Sequence, residues 1–153
     1  MNIERYLHEQ HVWFEALEHE PTFTARGLAQ TVHDEAVAKS VLVRTDEGFA
    51  LIVIPAADAV DLELAKEVLC AGEVCLASEA ECGHEFVDCE FGARLPFGSK
   101  YSLPTIMDRA LTEFPEIVFE GNTHRQAIRM KLDDYVRIER PRIATVTQSY
   151  QLH

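Results

Sequence analysis

The sequence predicts a mixed α/β domain of the α+β type, with a mainly antiparallel, curled sheet flanked by helices. Two observations favour this class. Two β-rich runs, Val37–Val43 and Phe49–Ile54, flank a loop containing Gly48 and so predict a hairpin. Short strand and helix patterns then follow without the regular alternation of a doubly wound parallel sheet. The 153 residues, 47% hydrophobic and 26% charged, are typical of a single domain over residues 1–153.

The segments before the hairpin predict two helices and a strand. Ile3, Tyr6 and Leu7 have helical spacing, which indicates a first helix over residues 2–10. The strand and the second helix are expected at Val12–His19 and at Thr24–His33, separated by a turn at 19–22.

The segments after the hairpin contain two helix-capping patterns. Asp61 is expected to cap a helix that ends near Gly72, and Ser78 with Glu81 forms a capping-box pattern. The predicted strands are Val74–Ala77, Asp88–Phe91, Leu103–Met107, Ile117–Phe119 and Thr123–Met130, and the last predicted helix is Leu132–Ile138.

Hydropathy gives no indication of a membrane segment. The longest apolar run, Phe49–Ala57, contains Pro55 and is far shorter than the roughly 20 residues that span a bilayer. The first residues lack the basic start and apolar stretch of a secretory signal. We therefore expect a soluble, cytoplasmic protein with no membrane partner.

The formal net charge of −12 argues against non-specific binding to DNA or other nucleic acids. The charge is uneven, because residues 1–121 carry 8 basic and 23 acidic groups, whereas residues 122–153 carry 6 and 3. A polyanion would therefore meet a local basic patch.

Four cysteines, Cys70, Cys75, Cys82 and Cys89, lie within 20 residues without a C-x-x-C pair. Reduced thiols are the favoured interpretation, and a zinc site made from these thiolates, or from three of them with His84, is the weaker alternative. We expect no metal and no cofactor. Cys89 is interpreted as a core residue, because no base in the sequence is poised to activate it as a nucleophile.

The motifs of several enzyme classes are missing from the sequence. It contains no G-x-S-x-G, no P-loop, no G-x-G-x-x-G and no H-E-x-x-H. A serine hydrolase, a P-loop enzyme, a Rossmann dehydrogenase and a zinc protease are therefore unsupported.

Lys39 is an unusual residue because it lies in the middle of an apolar strand. Strand alternation puts it on the same face as Val37, Val41 and Val43. Such a lysine either lines a polar cavity, where it can hold a phosphate or carbonyl oxygen, or protects an edge strand from aggregation. The spacing by itself leaves both interpretations open.

Two further segments are candidates for binding a ligand. The loop Gly92–Gly98 contains two glycines and a proline, so its backbone N–H groups can approach a carbonyl or a developing oxyanion. His124 follows a turn at Gly121 and Asn122. Taken alone, these features are also typical of an ordinary connection and of a turn histidine.

Together, these segments resemble the YbaK/ProX family. The resemblance rests on Val37–Val41, Gly92–Gly98, Asp108 and 121–124, in that order, and on His19–Thr24. The family comprises aminoacyl-tRNA deacylases related to the editing domain inserted in bacterial prolyl-tRNA synthetases. The resemblance covers nearly the whole chain.

The resemblance implies a role for each segment. Lys39 corresponds to the essential lysine that holds the tRNA 3′ end near the ester. The loop corresponds to the element that positions the aminoacyl carbonyl and terminal ribose, and His124 to a residue that helps to select the amino acid. Ser40 stands where some members have asparagine, and Phe23 borders the aminoacyl pocket. The loop residues expected at the substrate are Gly92, Ala93, Pro96, Phe97 and Gly98.

The implied activity is trans-acting hydrolysis of mischarged aminoacyl-tRNA. An aminoacyl ester is already activated, so one cation and a few backbone donors suffice to position water and stabilise an oxyanion. The implied partners are the acceptor end of aminoacyl-tRNA and an aminoacyl-tRNA synthetase that assists the protein. The basic residues expected to form a rim are Arg94, Lys100, Arg109, Arg125, Arg129 and Lys131. A non-catalytic adaptor for a synthetase or tRNA, and a hydrolase of small aminoacyl esters, are the alternatives.

Overall fold

The computed structural model describes residues 1–18, 36–90 and 92–148. These residues form four α-helices: α1 (Ile3–Glu9), α2 (Leu62–Leu69), α3 (Glu79–Glu85) and α4 (Leu132–Glu139). The strands are β1 (Phe14–Glu18), β2 (Ala36–Thr45), β3 (Gly48–Pro55), β4 (Ala59–Val60), β5 (Val74–Leu76), β6 (Thr105–Asp108), β7 (Glu116–Glu120), β8 (Gln126–Lys131), β9 (Arg142–Ala144) and β10 (Thr147–Gln148). Two 3₁₀ turns lie at Gly98–Tyr101 and Arg109–Glu113.

Eight of these strands form one mixed sheet. Seven follow the order β1-β8-β7-β2-β3-β6-β9, and β5 pairs with the far end of β2. The β2–β7, β3–β6 and β6–β9 pairs are parallel, and the other pairs in this sheet are antiparallel. The predicted mixed, mainly antiparallel sheet flanked by helices is confirmed.

The predicted hairpin is the centre of this sheet. Strands β2 and β3 pair from Thr45 opposite Gly48 to Ala38 opposite Pro55. Gly48 has φ +137°, a conformation that favours glycine, and this explains the glycine in the turn.

The β2 strand is only partly paired on the side opposite β3. Parallel pairing with β7 covers Ala36–Ile117 and Val37–Val118, and pairing with β5 begins at Val43. We call the place where β2 and β7 separate, after Val37 and Val118, the β2–β7 fork. Beyond it, the carbonyl oxygen of Ser40 accepts a hydrogen bond from Nε of Arg94 at 2.9 Å. The loop that contains Arg94 therefore reaches β2 at the fork.

The two faces of the central strands have separate cores. On one face, Ala38 and Val53 belong to a cluster that includes side chains from α1 and α4. On the other face, Ile52 and Ile54 pack against Ala65 of α2. This arrangement follows from period-2 alternation, which directs successive side chains of a strand to opposite faces.

The two helix caps predicted after the hairpin are confirmed. Asp61 accepts hydrogen bonds from the backbone N–H groups of Glu63 and Leu64, and the capping box of Ser78 and Glu81 is formed. The second predicted helix, the 19–22 turn and His19, the predicted end of the first strand, lie outside the described residues.

Some strand predictions need correction. Residues 88–90 of the expected strand Asp88–Phe91 do not form a strand, because Cys89 N–H closes a turn onto Phe86 and Glu90 N–H bonds to the Asn122 carbonyl. The strand expected from Thr123 begins at Gln126, since the backbone of 123–126 closes a turn. The short strands β4, β9 and β10 were not predicted from the sequence. In the described part of the chain, no helix has the length and hydropathy needed to cross a bilayer.

Candidate active site

Lys39 lies half-buried on β2, just beyond the fork. It lies opposite Ile54 of β3. On the face of the sheet that carries Lys39, one apolar cluster contains Val37 and another contains Ile52. The β2 strand as a whole is inside the sheet, between β7 and β3, although its side opposite β3 has no strand partner at Lys39 itself. Of the two interpretations left open by the spacing, a lysine that lines a polar site fits this position better.

Acidic groups lie near the Lys39 ammonium. Asp58 follows β3 in a turn that is held against β2, because Ala56 N–H donates to the Val37 carbonyl at 2.8 Å. Burial, and then the negative charge of Asp108, raise the pKa of Asp58, and the positive charge of Lys39 opposes this shift. Asp58 therefore interacts electrostatically with both Asp108 and Lys39.

Asp108, which contributes to the family resemblance, is a buried structural carboxylate. Oδ1 accepts from the Val146 backbone N–H at 2.9 Å, and Oδ2 accepts from the Ala110 N–H at 3.1 Å. These bonds join the end of β6 to the C-terminal strands, while the charge of the carboxylate acts on Asp58.

Glu120, the last residue of β7, lies on the Lys39 face of the sheet. Val37 pairs with Val118 in parallel register and packs with it in one apolar cluster, so Lys39 and Glu120, each two residues further along its own strand, lie on the same face of the sheet. The Glu120 carboxylate is buried and lies 2.9 Å from Nδ1 of His124, whose side chain is only 1% exposed. Sequence reasoning did not identify Glu120 or Asp58. Glu120 directly precedes the candidate segment 121–124, whereas Asp58 lies outside every candidate segment and has no sequence sign.

The His124 ring lies directly against Gly92. A Cβ atom on Gly92 would be 3.3 Å from Nε2 and 3.4 Å from Cε1 of His124, and Gly92 has φ +85°. Only glycine accommodates this conformation without strain. The structure therefore brings together two predicted site residues that are separated by 32 positions in the sequence.

Ser40 is buried, and strand alternation directs its side chain to the Ala38 and Leu42 face, opposite to Lys39. Its carbonyl, not its hydroxyl, connects it to the loop through Arg94. Phe23 lies outside the described residues.

The second half of the loop belongs to the core. Phe97 is fully buried and makes edge contacts with the rings of Tyr6, Phe119 and Tyr135. The Pro96 carbonyl accepts a hydrogen bond from the Tyr135 hydroxyl at 2.6 Å.

Ala93 and Gly98 are also buried. The Phe97 side chain is therefore a packing element, and the substrate-binding role predicted for the loop remains a prediction about its backbone.

The basic residues expected around the site do not form one rim. Lys100 lies over the Tyr6 ring of α1, 4.3 Å from its centroid, on the side of the sheet away from Lys39. Arg129 pairs with Glu15 at 2.9 Å, and Arg94 donates to Ser40. Arg109 and Arg125 are exposed.

The four cysteines are free thiols: Cys70 and Cys75 are exposed, and Cys82 and Cys89 are half-buried. Within residues 1–18, 36–90 and 92–148, no group of three or more His, Cys, Asp or Glu side chains is arranged to hold a metal ion.

Cys89 should react slowly with thiol reagents. Burial, and then the negative charge of Asp88, raise the pKa of its thiol to about 11, so the thiolate is scarce at neutral pH. We expect iodoacetamide at pH 7.5 to modify Cys70 and Cys75 first, as measured by mass-spectrometric peptide mapping. Labelling of Cys89 at the rate of Cys70 would contradict this assignment.

Comparison with known proteins identifies the family. The sequence pattern of the aminoacyl-tRNA editing domain matches residues 7–138. The chain belongs to this family. The predicted resemblance to the YbaK/ProX proteins is thereby confirmed, and aminoacyl-tRNA editing is the activity associated with this editing domain. A comparison with curated protein sequences gives no match.

Solved structures share the fold of this editing domain. A protein described only as hypothetical is 19% identical with a TM-score of 0.85, over 95% of this chain and 99% of that chain. A candidate trans-editing enzyme for prolyl-tRNA synthetase is 20% identical with a TM-score of 0.80, over 96% and 95%. A candidate signal transduction protein from Marinobacter aquaeolei is 15% identical with a TM-score of 0.74, over 95% of this chain and 30% of that chain.

Proposed function

We propose that this editing domain hydrolyses, in trans, the ester that joins a wrongly attached amino acid to the acceptor end of a tRNA. Family membership supports the substrate class. The observation that carries the proposal is the grouping of residues at the fork, where Lys39 and Glu120 share one face of the sheet. Glu120 contacts His124, and the His124 ring lies against Gly92.

Lys39 is assigned to the negatively charged end of the substrate. Its ammonium is half-buried between apolar clusters, where an electrostatic interaction is stronger than in bulk water. In this position it would bind a phosphate or ribose oxygen at the tRNA 3′ end. Asp58 lies near enough to interact with the ammonium, and it limits the net positive charge of the site.

The loop at Gly92 is assigned to the carbonyl of the ester. Gly92 is exposed and lacks a side chain, so a ligand can approach its backbone closely. Water adds to the carbonyl carbon, and the ester C–O bond then breaks. The terminal ribose oxygen leaves with one proton of the attacking water, the amino acid is released as its carboxylate, and the second proton passes to the solvent. Backbone donors that stabilise the intermediate oxyanion are sufficient for such an activated ester.

His124 is assigned to selection of the amino acid, together with Phe23. Ser40 adjoins the site only through its backbone carbonyl, because its side chain lies on the opposite face of β2 from Lys39. A buried imidazole held against Gly92 makes a rigid wall, and a rigid wall excludes side chains by size and by unmatched hydrogen-bonding groups.

The charge distribution suggests weak and local contact with tRNA. A net charge of −12 repels most of a polyanion, so binding would rest on a few phosphates near the acceptor end. We propose that the protein acts in the cytoplasm, and that a synthetase partner assists it in retaining the tRNA.

A panel of mischarged tRNAs and matched aminoacyl ethyl esters tests this function. We expect the purified protein to deacylate at least one mischarged tRNA much faster than its ethyl ester. For contact with two or three phosphates, kcat/KM should fall about tenfold between 50 and 200 mM salt. Equal rates on the ethyl ester without salt dependence would favour a small-ester hydrolase. Stable tRNA binding without turnover would favour the adaptor.

A further inference from the structure

We propose that Glu120 is a positioning residue that fixes the orientation of His124, and through it the amino-acid selectivity of the site. The inference rests on the proposed function for its effect on selectivity. Its structural part, the clamping of the ring, is independent of that function.

The surroundings of Glu120 are poorly suited to a carboxylate. Val37, Val118 and Ala127 form a buried apolar cluster on the same face, and Ala127 pairs directly with Glu120. A carboxylate placed here costs free energy unless hydrogen bonds compensate for its lost hydration. Replacing such a buried polar pair with apolar side chains is often neutral for stability. A contribution to the free energy of unfolding therefore does not explain the presence of Glu120 at this position.

The hydrogen bond to His124 gives the carboxylate a specific role. In the proposed clamp Glu120 is ionised and accepts the hydrogen bond, so that Nδ1 of His124 carries the proton across the 2.9 Å contact. The Nε2–Cε1 edge of the ring faces Gly92. The imidazole is thus held between a carboxylate on one side and the loop backbone on the other.

The turn between Glu120 and His124 is closed by further bonds. Gly121 N–H donates to the Gln126 carbonyl at 2.8 Å, and Asn122 N–H donates to Oε1 of Gln126 at 3.0 Å. The backbone therefore restrains the position of His124, while Glu120 restrains the rotation and protonation of its ring.

Nitrogen-15 NMR of the wild-type protein without substrate tests the clamp directly. We expect His124 to show a protonated Nδ1 at pH 7.5, with the signal assigned among the seven histidines by its loss in a His124→Asn variant. An unprotonated Nδ1 in the wild type would overturn the proposal, and this result requires no Glu120 variant to fold. The measurement decides the clamp even if the protein deacylates no tRNA.

A Glu120→Met variant tests the effect on selectivity. Methionine has a similar length but is a poor hydrogen-bond acceptor for the imidazole. We expect the Nδ1 signature to be lost. We also expect the ratio of kcat/KM between the best and second-best mischarged tRNA to fall by about tenfold. Glu116→Met, at the start of the same strand, is the matched control and should leave both unchanged. An unchanged ratio in a folded Glu120→Met protein would overturn the link to selectivity.

Discussion

Replacing Lys39 with alanine should lower the single-turnover rate of tRNA deacylation by about 100-fold or more, which is typical of losing one group that stabilises developing charge. The ammonium is the charged group of β2 that lies on the apolar face at the fork, and alanine leaves nothing to bind the substrate oxygen. The rate is measured with saturating enzyme and a mischarged tRNA identified in the substrate panel.

Two further variants complete this test: a control lysine elsewhere in the chain, and a substitution at Lys39 that keeps the positive charge but changes the shape of the side chain. Lys66→Ala removes a half-buried lysine from α2 and should leave the rate within about twofold, because surface substitutions away from special features have small effects. Lys39→Arg retains the charge but has a planar, longer head group, and it should restore only part of the rate. If Lys39→Ala deacylates as fast as the Lys66→Ala control, the proposed mechanism is wrong.

Replacing Gly98 with alanine should destabilise the fold by about 2–4 kcal/mol, because the added methyl group has no space. A Cβ at this position would overlap Oγ1 of Thr105 and lie 3.0 Å from the Leu103 carbonyl oxygen. Thr105 donates to the buried Glu139 carboxylate at 2.7 Å, so displacing its hydroxyl also weakens that bond. Urea unfolding followed by circular dichroism measures the change.

A glycine in open space provides the control. Gly83 lies inside α3, and nothing lies within 4 Å of its added Cβ, so Gly83→Ala should stabilise the protein by about 0.5–1 kcal/mol. If the Gly98→Ala protein has the same midpoint of urea unfolding as the wild type but no longer deacylates tRNA, Gly98 contacts the substrate. Loss of stability with normal activity of the folded fraction would instead assign it to packing.

Local patterns identified most of the regular structure. The caps at Asp61 and Ser78 and the β2–β3 hairpin depend on neighbours within a few residues, and the sequence displays those neighbours directly. The predicted strand at 88–90 failed because side-chain and backbone bonds to Tyr101 and Asn122, distant in sequence, stabilise a different conformation.

The candidate site divides in the same way. Lys39 can be identified in the sequence because a charged residue interrupts an otherwise apolar strand pattern. Glu120 breaks no comparable pattern, and its importance appears only when the pairing of β2 with β7 puts it on the same face of the sheet as Lys39. The sequence of the loop did not predict that Gly92 is exposed whereas Phe97 is buried in the core.

The sequence by itself determined the family, the mixed α+β class and the position of the unusual lysine, since each depends on residue order and on periodicity along the chain. Only the tertiary structure decided that His124 lies against Gly92, that Glu120 holds it, and that Phe97 packs in the core. The physical reason is that the contacts of His124 with Gly92 and of Phe97 with Tyr6 join residues 32 and 91 positions apart, and the periodicity of one segment carries no information about which distant segment packs against it.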